Sequence, residues 1–322
     1  MALLKYWQAI NKALEEELER DERIFIIGID VGDPGGPFLT TRGLKKKFGA
    51  ERVRDTPITE AGFVGLAIGA AAAGGRPIVD LMFSNFSYLA MSQLINEAAK
   101  IPLISNAQIK LPITVRILEG GGHFGAGAQH SDVVHGIFCS IPGLVVVCAS
   151  TPYDAKGLLK AAIRDDRPVI FCDHLALYRD VGEVPDEDYV LPLGKAEIVR
   201  KGEDVTVIAT QLMLKYSLEV SEKLSKEGIE VEIINPRTLN PLDIETIASS
   251  VKKTGRVVIV DETPTSYGTQ AGILTKIMEY CFYDLEKFKI VGSLDLPIPS
   301  GKVGREVLPS KEAIEKAIRS VL

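Results

Sequence analysis

Apolar residues recur along the chain with two alternating periods. Leu3, Trp7, Ile10, Leu14 and Leu18 fall three and four apart, which predicts an amphipathic helix over residues 3–20. Short runs rich in Val and Ile follow at 24–29, 78–81, 113–117, 144–149 and 169–172, and each predicts a buried strand. Between them helices are predicted at about 60–73, 85–100, 132–139 and 152–164. The stretch DVGEVPDEDYVLPLG at 180–194 is acidic and carries Pro185 and Pro192, so it reads as a linker. Beyond it come strands at 205–210, 229–234 and 256–260, helices at about 214–227, 243–252 and 268–281, and a closing helix near 310–321. Such alternation is the mark of α/β architecture with largely parallel sheets. The reading is of two domains, 1–185 and 186–322.

Composition narrows the function classes. The 37 Lys and Arg against 43 Asp and Glu leave a net charge of −6, which offers no broad basic field for nucleic acid phosphates. The longest apolar stretches, such as 144–149, fall far short of the ~20 residues that span a bilayer. The first 23 residues are acidic and amphipathic and lack a signal-peptide pattern, so a cytoplasmic location is expected. Cys139, Cys148, Cys172 and Cys281 are widely spaced with no C-x-x-C pair, and they read as buried free thiols.

Three segments could carry chemistry. In RDTPITEAGFVGLAIGAAAAGG, residues 54–75, Pro57 and Thr59 favour an extended or turning chain before Glu60, and a helix rich in Gly and Ala follows. Glu60 reads either as a first-turn acid that complements the helix dipole or as a proton-transfer group. Its neighbours Ile58, Ala61, Phe63 and Val64 offer it little water or positive charge. The second segment, EGGGHFGAGAQHSDVVHG at 119–136, holds a G-x-G-x-x-G at Gly120, Gly122 and Gly125, yet no acid stands about 20 residues on to catch a ribose, so a nicotinamide site is not expected. Three of the four histidines, His123, His130 and His135, fall in this loop, and their spacing fits no common zinc pattern. His135 reads as a packed or surface residue and His130 as the functional one. In the third segment, MFSNFSYLAMSQLINEAAK, Met82, Phe83 and Phe86 cluster at a strand end, as core or as a cofactor wall.

Taken together, DTPITEAGF, MFSNFS with Gln93 and AAK, GAQHSD, PYDAKGLLKAAIRDDRPVIF, EIINPRTLNPLD and DLPIP resemble one family, in order and over residues 3–321. It is the beta subunit of the thiamin-diphosphate-dependent decarboxylating component of 2-oxo acid dehydrogenase complexes. The resemblance implies an α/β pyrimidine-binding domain followed by a transketolase C-terminal-like domain. It implies that Glu60 hydrogen-bonds the aminopyrimidine ring of thiamin diphosphate, with Ile58, Met82 and Phe86 lining the pocket. His130 would face the substrate, in proton transfer or in acyl transfer to a lipoyl group. No G-D-G motif for magnesium and diphosphate occurs; Gly32-Asp33-Pro34 is the nearest approach, so these ligands are expected from an alpha subunit in an α2β2 tetramer. The other expected partners are a lipoyl acyltransferase and a small 2-oxo acid, pyruvate or branched-chain.

The chain departs from the family pattern at Leu89 (usually Gln), Ser92 (usually Asp) and Asp132 (usually Gln), and in a glycine loop one residue longer that begins Leu118-Glu119. Glu119 and Asp132 are expected to add negative charge near the site mouth. Some relatives bind potassium through carbonyls in the segment matching Ala162, Ile163 and Asp165; here Arg167 replaces a small polar residue, and that site stays open. An acetoin-cleaving subunit, half of a split transketolase, and a non-catalytic scaffold subunit are the alternative readings.

Overall fold

The computed structural model describes residues 1–32 and 35–322, so Asp33 and Pro34 of the Gly32-Asp33-Pro34 step lie outside the described residues. The chain forms two compact units, one of Met1–Glu119 with Ile137–Leu193 and one of Gly120–Gly136 with Gly194–Leu322. Both are α/β with largely parallel sheets, as expected. Among the described residues no helix is long and apolar enough to cross a membrane. None of the four cysteines forms a disulfide, and Cys148, Cys172 and Cys281 are buried.

The strands, in chain order, are β1 (Ala2–Lys5), β2 (Ile24–Gly28), β3 (Val53–Asp55), β4 (Arg76–Phe83), β5 (Thr114–Glu119), β6 (Val145–Cys148), β7 (Val169–His174), β8 (Val181–Val184), β9 (Glu197–Arg200), β10 (Val205–Ala209), β11 (Val231–Asn235), β12 (Thr238–Asn240), β13 (Arg256–Pro264) and β14 (Lys287–Ser293). The helices are α1 (Tyr6–Arg20), α2 (Leu44–Phe48), α3 (Glu60–Ala72), α4 (Ile101–Ile104), α5 (His135–Cys139), α6 (Pro152–Arg164), α7 (Gln211–Ser225), α8 (Ile244–Thr254), α9 (Thr269–Cys281), α10 (Gly304–Val307) and α11 (Lys311–Val321).

In the first unit six parallel strands run in the order β6-β7-β5-β4-β2-β3. Val146, Phe171, Val115, Val79 and Ile26 on five of them are buried. The helix expected over 3–20 starts only at Tyr6, because Ala2–Lys5 pairs antiparallel with Val181–Val184. From there Tyr6, Ala9, Ile10, Ala13, Leu14 and Leu18 form one buried stripe. Helix α6 begins where predicted, with Pro152 at its first position and the Thr151 side chain accepting the Asp154 N–H at 3.0 Å.

The helix expected over 85–100 is broken into a 3₁₀ turn at Ser84–Ala90 and a π-helical turn at Gln93–Ala98. The Ser87 hydroxyl donates back to the Ser84 carbonyl at 2.6 Å, a local bond that competes with the α-helical pattern. In the second unit the sheet order is β14-β13-β10-β11-β9, parallel except for β9. Strands β9 and β14 escape the sequence reading, since each lies at a sheet edge with a mixed polar pattern.

Three strands of the first unit each carry a charge into an apolar run. Arg116 on β5 donates to Asp80 on β4 at 2.9 Å and to Asp173 on β7, and Tyr178 donates to Asp173 at 3.1 Å. Burial opposes the Arg116 charge, but Asp173 and Asp80 outweigh it and hold the guanidinium even further above its ordinary pKa. Removing the cation leaves two carboxylates facing one another in the sheet. Arg116→Met should therefore cost about 3 kcal/mol of unfolding free energy in urea titration; a loss below about 0.5 kcal/mol would show that the triad does not hold the strands together.

Candidate active site

The chain reaches Glu60 from the end of β3. Thr56 donates its N–H to the Gly28 carbonyl at 3.0 Å, and Thr59, with φ −161° and ψ 72°, turns the chain into α3, which begins at Glu60. Glu60, Phe63, Val64, Ala67, Ile68 and Ala71 form the buried stripe of that helix. The carboxylate thus rides on an apolar face at a helix N-terminus, 5% exposed. Among the described residues no hydrogen bond or ion pair engages it. Its oxygens are not among the fully enclosed polar atoms, so the acid sits at the rim of the apolar stripe with the positive end of the helix dipole beside it. Ile58, two residues earlier, is 80% exposed, so no described residue covers it.

Met82 owes its position to a β-bulge. The register of β4 against β5 slips between Asp80 and Phe83, where three steps on one strand match two on the other. Met82 takes a left-handed φ of 55°, and its N–H donates to Asp80 Oδ1 at 3.0 Å. The carboxylate that meets Arg116 therefore also pins the backbone of Met82. Phe86, half-buried, meets Phe83 edge to face at 6.3 Å between ring centres, and Phe83 meets Phe38 at 5.3 Å. Helix α3 packs against the turn that carries Phe86. Glu60, Met82 and Phe86 thus all belong to the first unit, on elements that pack together. Their donor set fits an aromatic, nitrogen-bearing ring, with a carboxylate to take an N–H and apolar walls beside it.

The glycine loop belongs to the second unit. Gly120, Gly125 and Gly127 have φ of 82°, 70° and 86°. At Gly125 a Cβ would lie 2.7 Å from the backbone nitrogen of Gly301, so a side chain is excluded twice over. The loop runs through short 3₁₀ turns at Gly121–Phe124 and Ala128–His130 rather than opening a helix, which removes the dinucleotide context of its G-x-G-x-x-G. Two adjacent residues near the end of β13 hold two of its histidines. Glu262 meets His123 Nε2, and Asp261 places both carboxylate oxygens 3.1 Å from His135 Nε2. Arg305 donates twice to the His123 carbonyl, at 3.1 and 3.0 Å, and Gly301 donates to the Gly125 carbonyl at 3.2 Å.

His135 is thus packed, as one of its two readings had it. His123, which the sequence did not favour, is an anchor. His130 lies between them, half-buried, at the end of a turn in which its N–H donates to the Gly127 carbonyl at 3.1 Å. Glu119, expected to add charge near a mouth, is fully buried at the end of β5. Leu89 and Ser92 are exposed. Asp80, Arg116, Asp261 and Glu262 were missed as supporting residues. Their signal was a lone charge or charge pair inside an otherwise apolar strand run.

Residues 3–180 match the model of the transketolase pyrimidine-binding domain, and residues 194–314 match that of the transketolase C-terminal domain. The 2-oxoisovalerate dehydrogenase subunit beta of Bacillus subtilis (strain 168) is 46% identical over 92% of this chain and 91% of its own length. The mitochondrial pyruvate dehydrogenase E1 component subunit beta of Pisum sativum is 44% identical over 97% of this chain and 88% of its own. A solved "Split gene transketolase, inactive beta4 tetramer" shares the fold, with a TM-score of 0.82 at 21% identity over 99% of this chain and 98% of that one.

The loop anchor has a definite pH dependence. Burial would raise the Asp261 pKa, but His135 and the Thr263 hydroxyl and N–H outweigh it and hold the carboxyl below its ordinary value. A depressed folded pKa gives stability that is fully present above the unfolded pKa of about 3.9 and is lost as pH falls through the lower folded value. Asp261→Asn should therefore cost about 3 kcal/mol at neutral pH, and the gap to the parent should close only in strong acid. A gap below about 0.5 kcal/mol at neutral pH would show that the Asp261 carboxylate does not hold the loop.

Proposed function

Because the chain belongs to the beta-subunit family of the decarboxylating component of 2-oxo acid dehydrogenases, built from the two transketolase domains, we propose that it forms half of a thiamin-diphosphate-dependent active site. The reaction is oxidative decarboxylation of pyruvate or a branched-chain 2-oxo acid, with the acyl group passed to a lipoyl-bearing partner. The observation that carries this reading is the Glu60 carboxylate, buried at the start of α3 with no partner among the described residues. When bound, thiamin diphosphate supplies the electron sink for loss of carbon dioxide. Glu60 would hold and move a proton at the aminopyrimidine ring nitrogen. Met82, set by the bulge and by Asp80, and Phe86 give the ring its apolar walls, and Ile58 adds a further apolar surface. His130 faces the substrate and moves a proton during decarboxylation or acyl transfer.

The sequence has no G-D-G motif, so the proposal assigns magnesium and the diphosphate to an alpha subunit, in a cytoplasmic α2β2 assembly. The chain acts only with that partner. Calorimetric titration of thiamin diphosphate and magnesium into the lone chain and into the co-expressed pair tests the assignment. Binding to the pair alone supports it, tight binding to the lone chain removes the half-site, and no binding in either case favours a scaffold subunit. Release of acetaldehyde from acetoin, with no turnover of 2-oxo acids, would favour the acetoin-cleaving reading.

Two substitutions separate the roles. In the assembled enzyme Glu60→Gln should leave cofactor affinity within a few-fold and lower turnover by a factor of about 100 or more; unchanged turnover would take Glu60 out of the mechanism. His130→Ala should depress transfer to lipoamide more than carbon dioxide release to an artificial electron acceptor. Equal losses would place His130 earlier in the reaction.

A further inference from the structure

The C-terminal end of α6 has the makings of a cation site. A helix ends in carbonyls at the negative pole of its dipole, and carbonyl oxygens gathered at one point are the donor set of a monovalent cation. Here the Ile163 and Asp165 carbonyls converge, and the Asp165 and Asp166 carboxylates follow. What meets them is Arg76, the first residue of β4, only 8% exposed. Its Nη1 donates to both carbonyls at 2.8 Å, and its Nη2 donates to Asp166 Oδ1 at 2.7 Å.

The remaining carboxylate oxygens are also met by cations. Arg167 donates its backbone N–H at 2.8 Å and its Nε at 3.0 Å to Asp165 Oδ1, and its Nη2 at 2.7 Å to Asp165 Oδ2. Lys110 donates to Asp166 Oδ2 at 2.8 Å. Three positive side chains therefore surround two negative ones. Lys110 and Arg76 hold the Asp166 carboxyl below its ordinary pKa. Burial works to raise the Asp165 pKa, and Arg167 outweighs it. A further cation at this turn would meet excess positive charge and carbonyls already engaged.

The donor atoms thus fit potassium in kind, but their charge balance and occupancy do not fit it. We infer that Arg76, supported by Arg167 and Lys110, takes the place of a bound monovalent cation, tying the start of β4 to the α6–β7 turn and making that join independent of potassium. The lysine and the second arginine suit this role because each neutralises a carboxylate oxygen that an ion would otherwise need to satisfy. The inference is independent of the proposed catalytic function.

Scanning calorimetry of the full chain at about 0.1 M potassium, sodium or choline chloride, equal in ionic strength, tests it. The parent protein should unfold within about 1 °C in all three salts. Arg76→Ala should unfold several degrees lower in choline and sodium and recover part of that loss in potassium, as the ion enters the vacated cradle. Potassium-specific stabilisation of the parent by several degrees would overturn the inference, because an ion would then bind beside Arg76. Absence of any potassium response in Arg76→Ala would also overturn it, since the carbonyls would not then form an ion's cradle. If that variant does not fold, Arg76→Met, which keeps the length of the buried stem but removes the guanidinium from both carbonyls, should show the same gain of potassium response, and its failure to do so counts against the inference in the same way.

Discussion

The Arg116 guanidinium is the point on which the first unit turns. A parallel sheet brings the ends of its strands to one edge, and an apolar interior alone would let those strands settle in several registers. One cation bonded to carboxylates on both neighbouring strands removes that freedom, because any slip would leave a buried charge uncompensated. Asp80 then turns from strand architecture to the site. Its second oxygen takes the Met82 N–H, so the left-handed residue at the bulge follows from the ion triad. In this sheet, strand order and site geometry share one set of bonds.

Much of the architecture was legible from periodicity. Helices α3 and α6 and the central strands of the first unit appear within two or three residues of their predicted bounds, because each has a complete apolar face or a clear start signal such as Thr151-Pro152. Failures occurred where a local bond or an edge pairing overrode the pattern. Residues 3–5 have helical spacing but pair with Val181–Glu183, a long-range event that no local window contains. Residues 84–98 have helical composition, yet Ser87 turns its hydroxyl to the preceding turn and the segment tightens and then widens.

The candidate site divides in the same way. Glu60 was legible as a carboxyl in apolar company, and among the described residues it is buried with no partner. The glycine loop was legible as special, but not which histidine anchors it, since the answer lies with Asp261 and Glu262 more than a hundred residues later. Residues 120–136 sit within the first block along the chain and pack in the second unit. Chain order is thus a poor guide to which body carries a loop. The left-handed glycines made the loop conspicuous, while the strand that holds it looked like ordinary core.

A loop held at His123 and His135 is a short closed span rather than a free tether. Most of its conformational entropy is surrendered once, on folding, so under the role proposed for it the imidazole of His130 would have little left to lose on meeting a reactant. Heating would then loosen His130 together with the end of β13, by that strand's own cooperative opening rather than by gradual softening of the loop.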